Sequence, residues 1–236
     1  MGQDTNREKA LRFATDCASA LGADLRAVLV QCDTGIRTDS VSTVMIVSRI
    51  TTPLLRQVAG VTQRRKGVAL PLLLDDEYLA TSCDVFPLEI LTLMDSCELL
   101  WGGSNPLDGL AIDHDHLRLE VEQQLKGKVL HLRQAFLAEA SDKRGLQILM
   151  LDSSSGFEAI MRGLLMLAGR ERTAVAAVNT REVERALGIS LETFRTIQAA
   201  REQGKPPPAA DIEPLFHRYL SELTELARAA DRITRP

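Results

Sequence analysis

Leu11, Ala14, Ala18 and Leu21 recur at helical spacing near the start of the chain, and Gly22 follows. That pattern predicts an opening helix over 5–21. Residues 24–30 and 44–47 form two short β-rich apolar runs on either side of a polar loop at 32–40. Neither run alternates cleanly, as expected of strands covered on both faces. A helix is predicted over 52–66. Val68–Leu74 is strand-like, and Pro71 points to a sheet edge, where a missing backbone donor is tolerated, or to an irregular extended segment. Further strand candidates lie at 89–94 and at 98–101, the second stopped by Gly102-Gly103.

Beyond Asp115 the period changes. Leu117, Val121, Leu125, Val129, Leu132 and Phe136 recur every three or four residues, predicting an amphipathic helix of about six turns. Ser155-Gly156-Phe157-Glu158 has the spacing of a capping box. Asn179 with Glu182, and Ser190 before Leu191-Glu192, mark two more helix starts. Pro206-Pro207-Pro208 is a stiff spacer. Asp211 can then cap a last helix carrying Leu215, Tyr219, Leu220, Leu223 and Leu226. The expected fold is therefore a two-part α+β architecture: an α/β domain with a mixed sheet over 1–112, and an all-α helical bundle over 113–236.

Composition narrows the function classes. The 236 residues are 45% apolar and 25% charged, which excludes a disordered tail or a disulfide-stapled miniprotein. With 28 basic and 32 acidic side chains the formal charge is −4, so no bulk positive field exists to hold nucleic acid or an anionic membrane. No apolar run approaches the roughly 20 residues of a membrane span, and Met1-Gly2-Gln3-Asp4 opens on no signal core. A cytoplasmic location is expected. Cys17, Cys32, Cys83 and Cys97 form no C-x-x-C, which points to free thiols rather than a zinc or redox motif. Serine-hydrolase, P-loop and dinucleotide-binding signatures do not occur.

The segment Ser82-Cys83-Asp84-Val85-Phe86-Pro87-Leu88-Glu89 stands before Leu100-Trp101-Gly102 and Asn105-Pro106-Leu107. Leu117-Arg118, Glu122, Leu125-Lys126-Gly127-Lys128 and Leu132-Arg133 follow along the long helix. Together these segments resemble a family of uncharacterised bacterial nucleotidyltransferase-like proteins, and the likeness spans most of the chain. The resemblance implies a nucleotidyltransferase-like α/β domain with an appended helical domain.

In such a fold, transfer of a nucleoside monophosphate needs two magnesium ions held by hard oxygen ligands. The resemblance implies a Gly-Ser after the first strand, an Asp-x-Asp entering the second and a third carboxylate later. Here those positions fall on Gln31-Cys32 and on Val41-Ser42-Thr43. Valine cannot ligate a metal, and threonine offers only a neutral oxygen, so the site reads as degenerate. The remaining acids are Asp33 and Asp39 in the loop and Asp84 and Glu89 in the third-carboxylate segment. Asp39, Asp84 and Glu89 are the set a rearranged, magnesium-dependent enzyme would use. Without that rearrangement no metal or other cofactor is expected.

The ligand-binding candidates implied by the resemblance are Arg118, Glu122, Lys126 and Arg133. The first three repeat at i, i+4, i+8 and form one charged stripe on the long helix. A stripe facing a cleft suits a small anionic ligand or nucleotide, whereas on a solvated face it is a row of ion pairs. Gly127 within the helix suggests a close helix contact. Asp113-His114-Asp115-His116 reads as a helix entry rather than a metal site, and Gln63-Arg64-Arg65-Lys66 as cations at a helix C-terminus. Ser153-Ser154-Ser155-Gly156 is a break between helices. The apolar run Leu164-Leu165-Met166-Leu167 leaves room for a protein partner or a helix-mediated homodimer. The expected function is thus a catalytically degenerate binding or interaction module, and the rival is an active transferase.

Overall fold

The computed structural model describes residues 2–31, 40–65, 67–139, 142–173, 175–207 and 211–233. The chain divides into two compact units, Met1–Phe86 with Thr92–Ile112, and Pro87–Leu91 with Asp113–Pro236.

In the first unit, helix α1 (Gly2–Leu21) leads through a single 3-10 turn into strand β1 (Leu25–Gln31). Strand β2 (Thr43–Val47), helix α2 (Thr52–Thr62), strand β3 (Leu72–Asp75) and helix α3 (Asp76–Ser82) follow, and strand β4 (Cys97–Gly102) completes the sheet. The strand order is β3-β2-β1-β4. β1 runs antiparallel to both neighbours, placing Val28 opposite Met45 and Trp101, while β2 and β3 are parallel with Met45 opposite Leu73. The sheet is mixed, as expected.

Burial explains the missing alternation. Ala27 and Leu29 are as fully buried as Val28, and Ile46 as fully as Met45, so both faces of the central strands are covered. Phe13, Ala14, Cys17 and Leu21 of α1 pack with Val28, Met45 and Val47 of the strands and with Leu54 and Val58 of α2. Burial pushes the Cys17 thiol up to about 12, so this cysteine acts as a small apolar side chain. Pro71 stands just before β3, which is indeed an edge strand. Asp75 ends β3 and caps α3, accepting the Tyr78 amide at 2.9 Å and the Ile50 amide at 3.0 Å. These bonds hold its carboxyl below the usual range.

The expectation of a strand at 89–94 is corrected. Pro87–Ser96 is a helix, α4, with Pro87 at its first position. Pro87, Leu88, Ile90 and Leu91 are buried, which is helical rather than alternating. A short apolar run fits either period, and the proline that preorganises a helix start decides it.

The second unit contains α5 (His114–Glu139), α6 (Lys143–Ser153), α7 (Phe157–Leu167), α8 (Ala176–Leu187), α9 (Glu192–Glu202) and α10 (Ile212–Ala230). Its aromatic core links Phe157 edge-on to Phe194 at 5.0 Å, Phe194 to Tyr219 at 6.2 Å, and Phe136 to Phe216 at 4.8 Å. Tyr219 is buried with its hydroxyl 3.0 Å from that of Ser153.

Several helix starts differ from their sequence signals. Ser155 caps nothing: the residue before α7 is Gly156 at φ +73°, a left-handed turn that favours glycine. Glu158 instead pairs with the buried Arg162 at 2.8 Å. Asn179 lies inside α8 and reaches back, accepting the Thr173 amide at 2.9 Å and donating to the Thr173 carbonyl at 2.8 Å. Ser190 does not cap α9, whose Thr193 and Phe194 amides are accepted by both oxygens of Glu222 on α10, each at 2.8 Å. Asp211 precedes α10 without a side-chain cap bond.

One further expectation changes. A Cβ added at Gly127 would meet nothing within 4 Å, whereas one at Gly163 would stand 2.5 Å from Leu88 and 2.8 Å from Val121. The close helix contact is therefore at Gly163. Leu164, Leu165 and Leu167 are core residues of α7, which packs on α5 and α8. Met166 of that run is half-buried. Among the described residues, no helix is long and apolar enough to cross a membrane.

Candidate functional site

The head of β2 is where the resemblance implies a pair of ligating carboxylates. Val41 forms a parallel bridge with Val68, its amide donating to the Gly67 carbonyl and its carbonyl accepting the Ala69 amide, both at 2.9 Å. Its side chain is 6% exposed and clusters with Ala10, Val30 and Leu100. Thr43 is buried as well. No acidic residue occurs over 41–47 or in β1, and the one acid of β3 is Asp75 at its far end, which caps α3. Glu98 on β4 is exposed and pairs with Arg7 at 3.0 Å. Packing thus fills the position at which the resemblance implies a ligating carboxylate.

The weak carboxylate candidates are dispersed. Asp33 and Asp39 lie outside the described residues. Asp84 is exposed in the turn after α3. Glu89 is exposed in the first turn of α4 and stands beside Glu120 of α5. Among the described residues, no three His, Cys, Asp or Glu side chains gather as a metal site. His116 and Asp115 donate their amides to Asp113 at 3.1 and 2.8 Å, so that cluster forms the entry to α5.

Glu120 was not singled out by the sequence. It accepts the Leu88 amide at 2.9 Å, capping α4 from a neighbouring helix. Burial, with Glu89 alongside, pushes its carboxyl up to about 7. The folded protein therefore keeps a proton that the unfolded chain releases near pH 4.5, and stability declines as pH rises from there to about 7. Glu120→Gln keeps an acceptor for Leu88 and removes the charge. It is expected to raise the melting temperature by about 2–4 °C at pH 8, allowing for the exposed part of the carboxyl, and to change little at pH 4.5. Thermal unfolding at the two pH values checks this, and a pH-independent effect would count against the assignment.

The charged stripe is brought together, but around the end of the chain. Arg118 Nε pairs with Glu122 at 3.0 Å, and its two Nη atoms donate to the Ile233 and Asp231 carbonyls at 2.5 and 2.8 Å. Lys126 Nζ lies 3.2 Å from Glu122 and 3.1 Å from Asp231. These bonds supply the donors that carbonyls at a helix C-terminus lack, and place cations at the negative end of α10. The stripe is a clamp. Lys128, one face over, donates to the Ser155 carbonyl at 2.7 Å and sits 4.8 Å over the Phe157 ring, where burial lowers its pKa.

Arg133 stands apart from the clamp. It lines a groove of about 470 Å³ with His217, Ser221, Thr224, Arg228 and Arg232 of α10 and its C-terminal turn. Sequence reasoning named Arg133 and missed the rest. The available signal was the polar spacing of His217, Ser221, Thr224 and Arg228 at i, i+4, i+7 and i+11, opposite the apolar stripe of α10.

No protein-family model matches the sequence, and no curated protein is significantly similar to it.

Proposed function

We propose that this chain is a nucleotidyltransferase-like protein that no longer carries out metal-dependent transfer and acts as a binding module. Support for the fold assignment comes from the strand arrangement, in which β1 and β2 are antiparallel and β2 and β3 parallel after an opening helix. The observation that carries the loss of catalysis is Val41, packed into the core at the entry to β2. Two-metal transfer needs several charged oxygens converging on one pair of ions, and this position supplies a hydrocarbon side chain. The binding role falls to the helical unit, through Arg133 rather than the clamped Arg118, Glu122 and Lys126.

Purified protein incubated with labelled nucleoside triphosphates and magnesium or manganese is expected to transfer no label to itself or to added acceptors. Incorporation that disappears in Asp39→Ala, Asp84→Ala or Glu89→Ala would overturn the reading in favour of a rearranged carboxylate site.

A further inference from the structure

The groove between α5 and α10 has an unusual charge balance for a protein of net charge −4. Its lining holds three guanidinium groups, Arg133, Arg228 and Arg232, against one carboxylate, Glu225. The neighbouring cations on α5 are neutralised: Arg118 by Glu122, and Lys126 by Glu122 and Asp231. None of the three groove arginines enters an ion pair among the described residues. Like charges held near one another repel, and a bound anion relieves that repulsion.

We propose that this groove binds a small phosphate-bearing anion. The planar guanidinium fork matches phosphate oxygens two at a time, which a lysine ammonium cannot do. Ser221 places a hydroxyl group on the same wall, where it can donate a hydrogen bond to an anionic oxygen, whereas the Thr224 hydroxyl already donates to the Leu220 carbonyl at 2.7 Å. At about 470 Å³ the groove exceeds what one phosphate fills and lies within the range of small-molecule sites. The ligand class is therefore a polyphosphate or a phosphorylated small molecule, recognised through at least two phosphoryl groups or one phosphoryl group and an adjoining polar body. The site belongs wholly to the second unit. It gives the binding-module reading a ligand class and rests on that reading for its biological role only.

The test is isothermal titration of the full-length protein, without metal, with pyrophosphate, a nucleoside triphosphate and the corresponding unphosphorylated nucleoside. The phosphorylated probes are expected to bind saturably, more weakly as salt rises, and the nucleoside not at all. Arg133→Gln and Arg228→Gln should each weaken binding about tenfold. Arg12→Gln, on the exposed side of α1, should leave it unchanged, and unaltered melting curves show that each variant is folded. Equal affinity for the two phosphorylated probes identifies the phosphoryl groups alone as the recognised element. Tighter triphosphate binding that is equally sensitive to Arg133→Gln assigns the ligand to the nucleotides. Absence of saturable binding, or binding indifferent to both arginine substitutions, overturns the proposal. Such a failure leaves the loss of catalysis standing, because only transfer of label bears on that.

Discussion

Val41→Asp is expected to destabilise the protein by about 6 kcal/mol at pH 7 and to create no magnesium site. The substitution introduces the residue type that the proposed fold would carry at a metal-binding strand entry, so it asks directly whether the position can act as a cradle. Val41 is held by two backbone bonds across to Gly67 and Ala69, and its side chain points into Ala10, Val30 and Leu100. A carboxylate there exchanges water for a hydrocarbon lining. Burial of that kind raises a carboxyl pKa by about 3 units, each costing about 1.4 kcal/mol when the group is ionised.

The sign of the pH dependence follows from that shift. With its folded pKa raised, the introduced aspartate is least harmful in acid, where it is neutral in both states. The penalty grows as pH rises through the window between the ordinary and the raised values. Only the lost apolar burial of about 2 kcal/mol remains at low pH. Urea unfolding of the variant and the wild type at pH 4 and pH 8, with and without magnesium, measures both terms. A variant stabilised by magnesium, which would signal binding to the native state, would show that a usable cradle survives.

How far the sequence reveals this molecule depends on the range of the interactions involved. Regular periods report burial of one face, so α5 was readable from Leu117 to Phe136, and the doubly covered strands were readable from their continuous apolar runs. The lack of a carboxylate at Val41 and Thr43 was visible because it concerns residue identity at a strand entry. Capping was less legible. Glu222 serves α9 from α10, and Glu120 serves α4 from α5. The local serine signal at 190 lost to Glu222, the one at 155 gave way to the left-handed Gly156, and Asn179 lies inside α8 and holds Thr173. The groove was half visible: Arg133 stood out on its own helix, but Arg228 and Arg232 join it only once α10 lies against α5. A pairing between helices about 90 residues apart leaves no mark in either helix alone.

The two mid-helix glycines make the same point with opposite expected signs. In isolation both look alike, each costing its helix up to about 1 kcal/mol relative to alanine. Gly127→Ala is expected to stabilise the protein by about 0.5–1 kcal/mol, because a Cβ there meets nothing within 4 Å and the unfolded chain loses freedom. At Gly163 the same methyl would lie 2.5 Å from Leu88 Cδ2 and 2.8 Å from Val121 Cγ2. Both neighbours are almost fully buried, and the valine has little rotamer freedom with which to yield. Overpacking of about 1–3 kcal/mol then outweighs the gain in helix propensity. Gly163→Val adds two more methyl groups to the same contact and is expected to cost about 3 kcal/mol or more. Shortening Leu88 to valine removes the atom in the tightest contact, so Leu88→Val should cost less in the Gly163→Ala background than in the wild type. Denaturant midpoints for the single and double variants measure that coupling. Additive effects, or a stabilising Gly163→Ala, would mean that α7 does not approach α4 and α5 through this glycine.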